Sequence, residues 1–310
     1  MKILFHIGAA KTGSTSIQLF LTQHRNLLSK AGFFYPLNRR LKHSEFALAA
    51  SYDINDSIDI YRYHRYKCDH LLMESDMFKH YQSMIKTYLD DFMYSGCHTL
   101  LLSDEILPYR CNTIDKLDKL KLFFPQGSKF HFIYYKRLAS DIYISLYSTL
   151  LKVGQTTISP FDFSLPQDSS DDSAWIASRE MFDHSNLIFN ISKVFGFESL
   201  TVFDYDILRA QFPSHSIVQH FLNSTNIIIN AHPQEISNRR LDYIGLFILY
   251  LYNFLLIYLS RPKLVRFILE RFRYLILIPI LELISFCSPF KFPCKYISNN
   301  RDSFDRLFDQ

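Results

Sequence analysis

The sequence predicts an α/β protein: a central parallel sheet with helices on both faces. Three observations carry this. Short apolar runs alternate with segments of helical periodicity, the pattern of strands joined by crossover helices. Glycine is scarce, 8 in 310 residues, and five of those glycines sit just past a helical segment, where a left-handed cap is needed. The first apolar run passes through a Gly-bounded turn into a Ser/Thr-rich helix start. Hydrophobic residues make up 48% of the chain and charged residues 21%. That is enough to bury a core, and it excludes disorder for the bulk of the chain.

Taken in order, Ile3–Ile7 reads as a buried first strand and not as a signal peptide, because its apolar run is too short. Ser14–Lys30 follows as a helix with Ile17, Leu21, Leu27 and Leu28 on one stripe. Met77–Ser95 is a long amphipathic helix that ends at Gly96, and His98–Ser103 is the next strand. Ile114–Phe124 is a helix stopped by Pro125. Lys129–Lys136 is a strand after Gly127. Ala139–Val153 and Ala177–Val194 carry helical stripes on either side of an acidic, Ser-rich loop, Ser164–Ser173. Phe197–Phe203 is the last strand of the series.

Composition shifts beyond about 235. Tyr243–Leu259 has 17 residues without a charge, at the lower limit for a membrane-spanning helix. Asn253 interrupts it, and a second apolar run, Tyr274–Cys287, contains Pro279 and Glu282. The chain therefore divides into a catalytic domain at 1–240 and a tail of apolar helices at 241–310. The formal charge is +4, from 34 Lys/Arg and 30 Asp/Glu, and residues 261–310 alone hold nine basic and five acidic side chains. This is too small a field for nucleic-acid binding. The apolar-basic tail suits peripheral membrane contact through 241–295, and burial against the sheet or in a homodimer interface would also accommodate it. Five cysteines at 68, 97, 111, 287 and 294, odd in number and without a CxxC pair, fit reduced thiols in a cytoplasmic protein, at the inner face of the membrane if the tail docks there. No His/Asp/Glu spacing suggests a metal site.

The segment Ile3–Gln18, ILFHIGAAKTGSTSIQ, is the most informative. A strand, a glycine-bounded turn and a helix start surround an anion with backbone N–H groups and hydroxyls at the positive end of the helix dipole. The Gly8-to-Gly13 spacing fits the first part of a nucleotide-binding P-loop, so the fold expected is P-loop-like and three-layered. Ser14 stands where a nucleotide triphosphatase needs Lys, and the loop's cation is Lys11. A phosphotransferase is disfavoured on those residues.

Lys-Thr-Gly-Ser-Thr-Ser after an apolar strand resembles the 5′-phosphosulfate loop of sulfotransferases that use 3′-phosphoadenosine 5′-phosphosulfate (PAPS). The family's second signature is a strand-end Arg followed eight residues later by Ser. Here these are Arg137 and Ser145, spaced so that a guanidinium and a hydroxyl share one phosphate. Further segments are similar to the bacterial, carbohydrate-type branch: LKHSEFALAA (41–50), LLLSDEIL (100–107) and the run from Met181 through the Val194-Phe195-Gly196 turn to Leu208. The ordered motifs cover roughly 1–240. Departures are Leu138-Ala139-Ser140 after the arginine and the lack of an Arg-Lys-Gly segment.

The resemblance implies sulfuryl transfer from PAPS to a hydroxyl of a glycan or glycolipid, without a metal. It implies cofactor contacts from Lys11, Thr12, Gly13, Ser14, Thr15, Ser16, Arg137 and Ser145, with Lys11 stabilising the leaving oxygen. The acceptor's proton needs a base. Glu105, just past a parallel strand, is the first candidate, and it also suits a helix start; His43 is the second. Tyr61–Lys67, alternating basic and aromatic, could grip an acceptor or form a solvated helix face. The other readings are a diverged P-loop kinase and a non-catalytic membrane-associated protein that keeps the fold.

Overall fold

The computed structural model describes residues 1–9, 12–38, 42–52, 76–138, 141–142, 183–212, 216–231, 247–249, 251–253, 272, 276–278 and 280–281. The chain forms two compact units, 1–138 with 170–236 and 308–310, and 139–169 with 237–307. The second unit thus takes in 139–169, which the sequence reading groups with the catalytic domain.

The first unit holds five parallel strands: β1 (Lys2–Gly8), β2 (Phe33–Phe34), β3 (Thr99–Asp104), β4 (Lys129–Lys136) and β5 (Leu200–Asp204). Their order is β2-β3-β1-β4-β5, with β1 at the centre. Phe5 lies level with Leu102 on one side and Phe132 on the other. Nine helices are described: α1 (Ser14–Gln23), α2 (Arg25–Lys30), α3 (Glu45–Ala50), α4 (Asp76–Tyr94), α5 (Leu107–Arg110), α6 (Ile114–Leu122), α7 (His184–Phe195), α8 (Tyr205–Gln211) and α9 (Ile217–Ser224).

Alternation along the strands sends neighbouring side chains to opposite faces, and both faces are covered, so β1 is buried almost throughout. On one face Leu4, Leu101, Ile133 and Tyr135 meet Ile17, Phe20 and Leu21 of α1 and Val218, Phe221 and Leu222 of α9. The other face is built from aromatic rings. Phe5 stacks on Phe132 at 5.7 Å and meets Phe46 of α3 edge-on at 6.3 Å. Phe195 of α7 covers Phe130 and Phe132 at 4.7 and 4.9 Å. This is the expected three-layer α/β fold around a parallel sheet.

Several elements differ from the sequence reading. The helix expected over Ser14–Lys30 is two helices: the His24 N–H closes α1 onto Phe20 O, while His24 O accepts from Leu27 and Leu28 to start α2. The last strand starts at Leu200, because Phe197–Ser199 forms a 3-10 turn tied by Ser199 Oγ to Gly196 O at 2.6 Å. β2, α8 and α9 were not anticipated. Tyr61–Lys67 and Ser164–Ser173 lie outside the described residues. So do Ala139–Val153 apart from 141–142, and Ala177–Val194 before 183.

In the second unit, the described residues of 247–253 are helical. Leu249 and Asn253, four apart, are buried there, and the Tyr252 ring lies 6.2 Å from that of Phe272.

Candidate functional site

The chain leaves β1 towards the β3 side of the sheet and leaves β4 towards β5. The connections therefore diverge between β1 and β4 at their carboxyl ends, where parallel sheets hold ligands. The loop after β1 is fastened there: Ala9 N–H donates to Tyr135 O at 2.9 Å. Thr12 Oγ1 donates back to Ala9 O at 2.8 Å and lies 3.4 Å from Ser14 Oγ. The loop folds so tightly over Gly8 that a Cβ there would land on Ser14 Oγ and crowd Thr12 Oγ1. Gly13 caps α1 with φ 81, and a side chain on it would meet Ile217 of α9. Both glycines are thus fixed by geometry, one by close approach and one by its left-handed backbone.

The first turn of α1 holds no acidic residue, and no side chain caps it. The Ser16 and Ile17 N–H groups close onto Gly13 O, and the start of the helix carries the positive end of its dipole. Thr12, Ser14 and Ser16 are buried around this start, and Thr15 is exposed. Lys11 lies outside the described residues, and so does Ser145.

Arg137 follows β4 by one residue, beside the loop. Its Nε donates to Asp206 Oδ1 at 3.3 Å, and the next backbone N–H, Leu138, donates to Asp206 Oδ2 at 3.1 Å. Its guanidinium sits 5.3 Å over the Tyr205 ring. Its carbonyl accepts from His184 Nε2 at 2.7 Å, and the Tyr134 hydroxyl bonds to His184 Nδ1. The strand exit is held from α7 and α8 at once.

On the other side of β1, β3 ends in Ser103-Asp104, followed by Glu105. Ser103 Oγ accepts from Gln18 Nε2 at 3.1 Å and hydrogen-bonds with His6 Nδ1 at 2.8 Å. His6 is fully buried, and burial pulls its pKa down to about 3. This triple ties β1, α1 and β3 together directly behind the loop. Asp104 Oδ1 accepts from Ser44 Oγ at 2.8 Å and from Ile106 N–H at 2.9 Å, while Oδ2 is buried without a partner. Burial pushes this carboxyl up. The bond to Ile106 spans Glu105 and fixes its backbone. Glu105 itself is partly exposed.

His43 is placed differently from the base the sequence suggests. It is enclosed between Tyr35 and Tyr88, ring centroids 4.7 and 5.5 Å away. Nδ1 accepts from Ser103 N–H at 3.1 Å, and Nε2 donates to Pro36 O at 3.2 Å. Burial pulls its pKa down to about 4. This geometry makes it a neutral pin between the 36–43 segment and β3, with both nitrogens used on backbone. Among the described residues no group of His, Cys, Asp and Glu is arranged to hold a metal ion.

Sequence reasoning missed Asp206, His184, His6 and Asp104. Only His6 carried a signal, a lone polar residue inside an apolar strand. The others pair with residues 47 to 69 positions away.

No family model and no curated protein matches the chain. Among solved structures, the sulfotransferase from Alicyclobacillus acidocaldarius is similar at 16% identity and a TM-score of 0.49, covering 87% of this chain and 95% of that one.

Proposed function

We propose that the chain is a PAPS-dependent sulfotransferase that moves a sulfuryl group to a hydroxyl of a carbohydrate or glycolipid. The observation that carries this reading is the loop from Gly8 to Ser16. Its described residues pack Ser14 Oγ and Thr12 Oγ1 closely against Gly8 and run into a helix start without acidic residues. These residues fit an anionic donor end. Lys11, Thr12, Gly13, Ser14, Thr15 and Ser16 would hold its 5′ side, and Arg137 with Ser145 its 3′-phosphate. When bound, PAPS supplies the activated sulfuryl group.

The chain's own residues do the rest. The α1 dipole and the Lys11 ammonium concentrate positive charge where negative charge builds during transfer. The Glu105 carboxylate takes the acceptor's hydroxyl proton. His6, Gln18 and Ser103 keep the loop and β3 in register behind the site, so positioning and electrostatics carry the rate. A glycan-type acceptor is supported by the likeness of 41–50 and 100–107 to the carbohydrate branch.

The test is calorimetric titration with adenosine 3′,5′-bisphosphate, together with transfer of radiolabelled sulfate from PAPS to an extracted glycan and glycolipid pool. Gly8→Ala and Lys11→Ala are expected to weaken bisphosphate binding about tenfold or more (~1.4 kcal/mol) while circular dichroism stays native. Magnesium-dependent ATP binding without bisphosphate binding would point to a kinase and defeat the proposal.

A further inference from the structure

The second unit carries an exposed apolar surface that the transfer reaction does not use. Phe272, Ile276 and Ile280 recur at intervals of four residues, are 42% to 49% exposed, and precede the buried Leu281. Every described residue from 272 to 281 is helical, and these three present their side chains to solvent. On the neighbouring helical segment Ile248 and Leu251 are exposed while Leu249 and Asn253 turn inward. The contact of the Tyr252 and Phe272 rings joins the two segments.

The charge distribution selects the occupant. The second unit holds twelve Lys/Arg and eight Asp/Glu, a net of +4, and the first unit holds 22 of each. The whole formal excess of the chain therefore belongs to the unit with these exposed apolar residues. Arg261, Lys263, Arg266, Arg271 and Arg273 stand between the two apolar runs, with Glu270 as the sole acidic residue from 261 to 273.

We propose that the second unit docks on an anionic lipid surface. Phe272, Ile276, Ile280, Ile248 and Leu251 enter the boundary between headgroups and acyl chains, and the arginines and lysines meet the headgroups. A second copy of the chain would bring the same positive field against itself, which disfavours self-association through this face. The mode proposed is lying on the surface; among the described residues no helix is long and apolar enough to cross a membrane. This inference stands apart from the donor site and survives if the sulfotransferase reading fails.

The experiment uses the full chain and sedimentation with phosphatidylcholine vesicles, with and without about a third phosphatidylglycerol. Binding is expected to the anionic vesicles and to weaken about tenfold in neutral ones or in high salt. Phe272→Ser combined with Ile276→Ser is expected to cost at least as much, with bisphosphate binding retained as proof that the catalytic unit is folded. If bisphosphate does not bind the parent chain, an unchanged cooperative thermal transition serves instead. Equal binding to both vesicle types, binding insensitive to the double substitution, or a dimer in light scattering that the double substitution dissolves would each overturn the proposal.

Discussion

At the scale of the residue, Arg137 shows how a strand-end cation is aimed. Its Nε and the Leu138 N–H converge on the two oxygens of Asp206, and Tyr205 lies under the guanidinium. Removing this carboxylate takes away an acceptor that the side chain and the strand exit share. Asp206→Ala is expected to raise the KM for PAPS about tenfold while changing kcat less than about threefold, since the lost aim affects binding before chemistry. Asp206→Asn keeps an oxygen for one donor and should fall between the two. Initial-rate kinetics at varied PAPS decide it: a drop confined to kcat would remove Asp206 from donor binding. Both carboxylates of the Asp204-Tyr205-Asp206 run look alike in the sequence, where either could cap a helix. Only the fold, which brings position 137 to position 206, tells them apart.

At the scale of the element, Asp204 is the one that caps. Its Oδ1 accepts from Ile207 N–H at 3.0 Å to start α8, as Asp183 does for α7 and Ser216 for α9. Its ion pair with Lys136 is long, 3.8 Å, and partly exposed, so the cap is worth more than the charge. Asp204→Ala should cost about 1 kcal/mol, or about 2–4 °C in Tm, and Asp204→Asn much less. Equal losses in calorimetry would show that the ion pair dominates. Elements with long patterns were legible: β1, β3, β4, α4 and α6 fall where apolar period and glycines put them. β2 has only two residues and no pattern to read. α1 and α2 share one continuous apolar stripe, and the break at His24 follows from backbone bonds that leave no mark in side-chain type. The site's loop was legible because its glycines and hydroxyls are consecutive.

At the scale of the whole molecule, what the sequence hid is the polar content of the core. His6 and His43 are fully buried, with pKa values lowered to about 3 and about 4 by burial, against an ordinary 6.5. The folded chain therefore refuses protons that the unfolded chain takes up below about pH 6.5. The stability each contributes is complete above that pH and is lost as the pH falls, until the folded values are passed near 4 and 3. At pH 5 each histidine should have removed up to about 2 kcal/mol. Asp104 acts with the opposite sign. Burial raises its carboxyl pKa, so the folded chain holds a proton that the unfolded chain releases, and this group favours folding more as the pH drops. Asp104→Asn removes that opposing contribution and leaves the histidines alone. Urea unfolding of this variant should show a loss of roughly 4 kcal/mol between pH 7.5 and pH 5, no shallower than in the parent chain. A flat profile in Asp104→Asn would mean that the two buried imidazoles find a proton's worth of solvation in the folded state, and that the polar network behind the loop is not as dry as its hydrogen bonds imply.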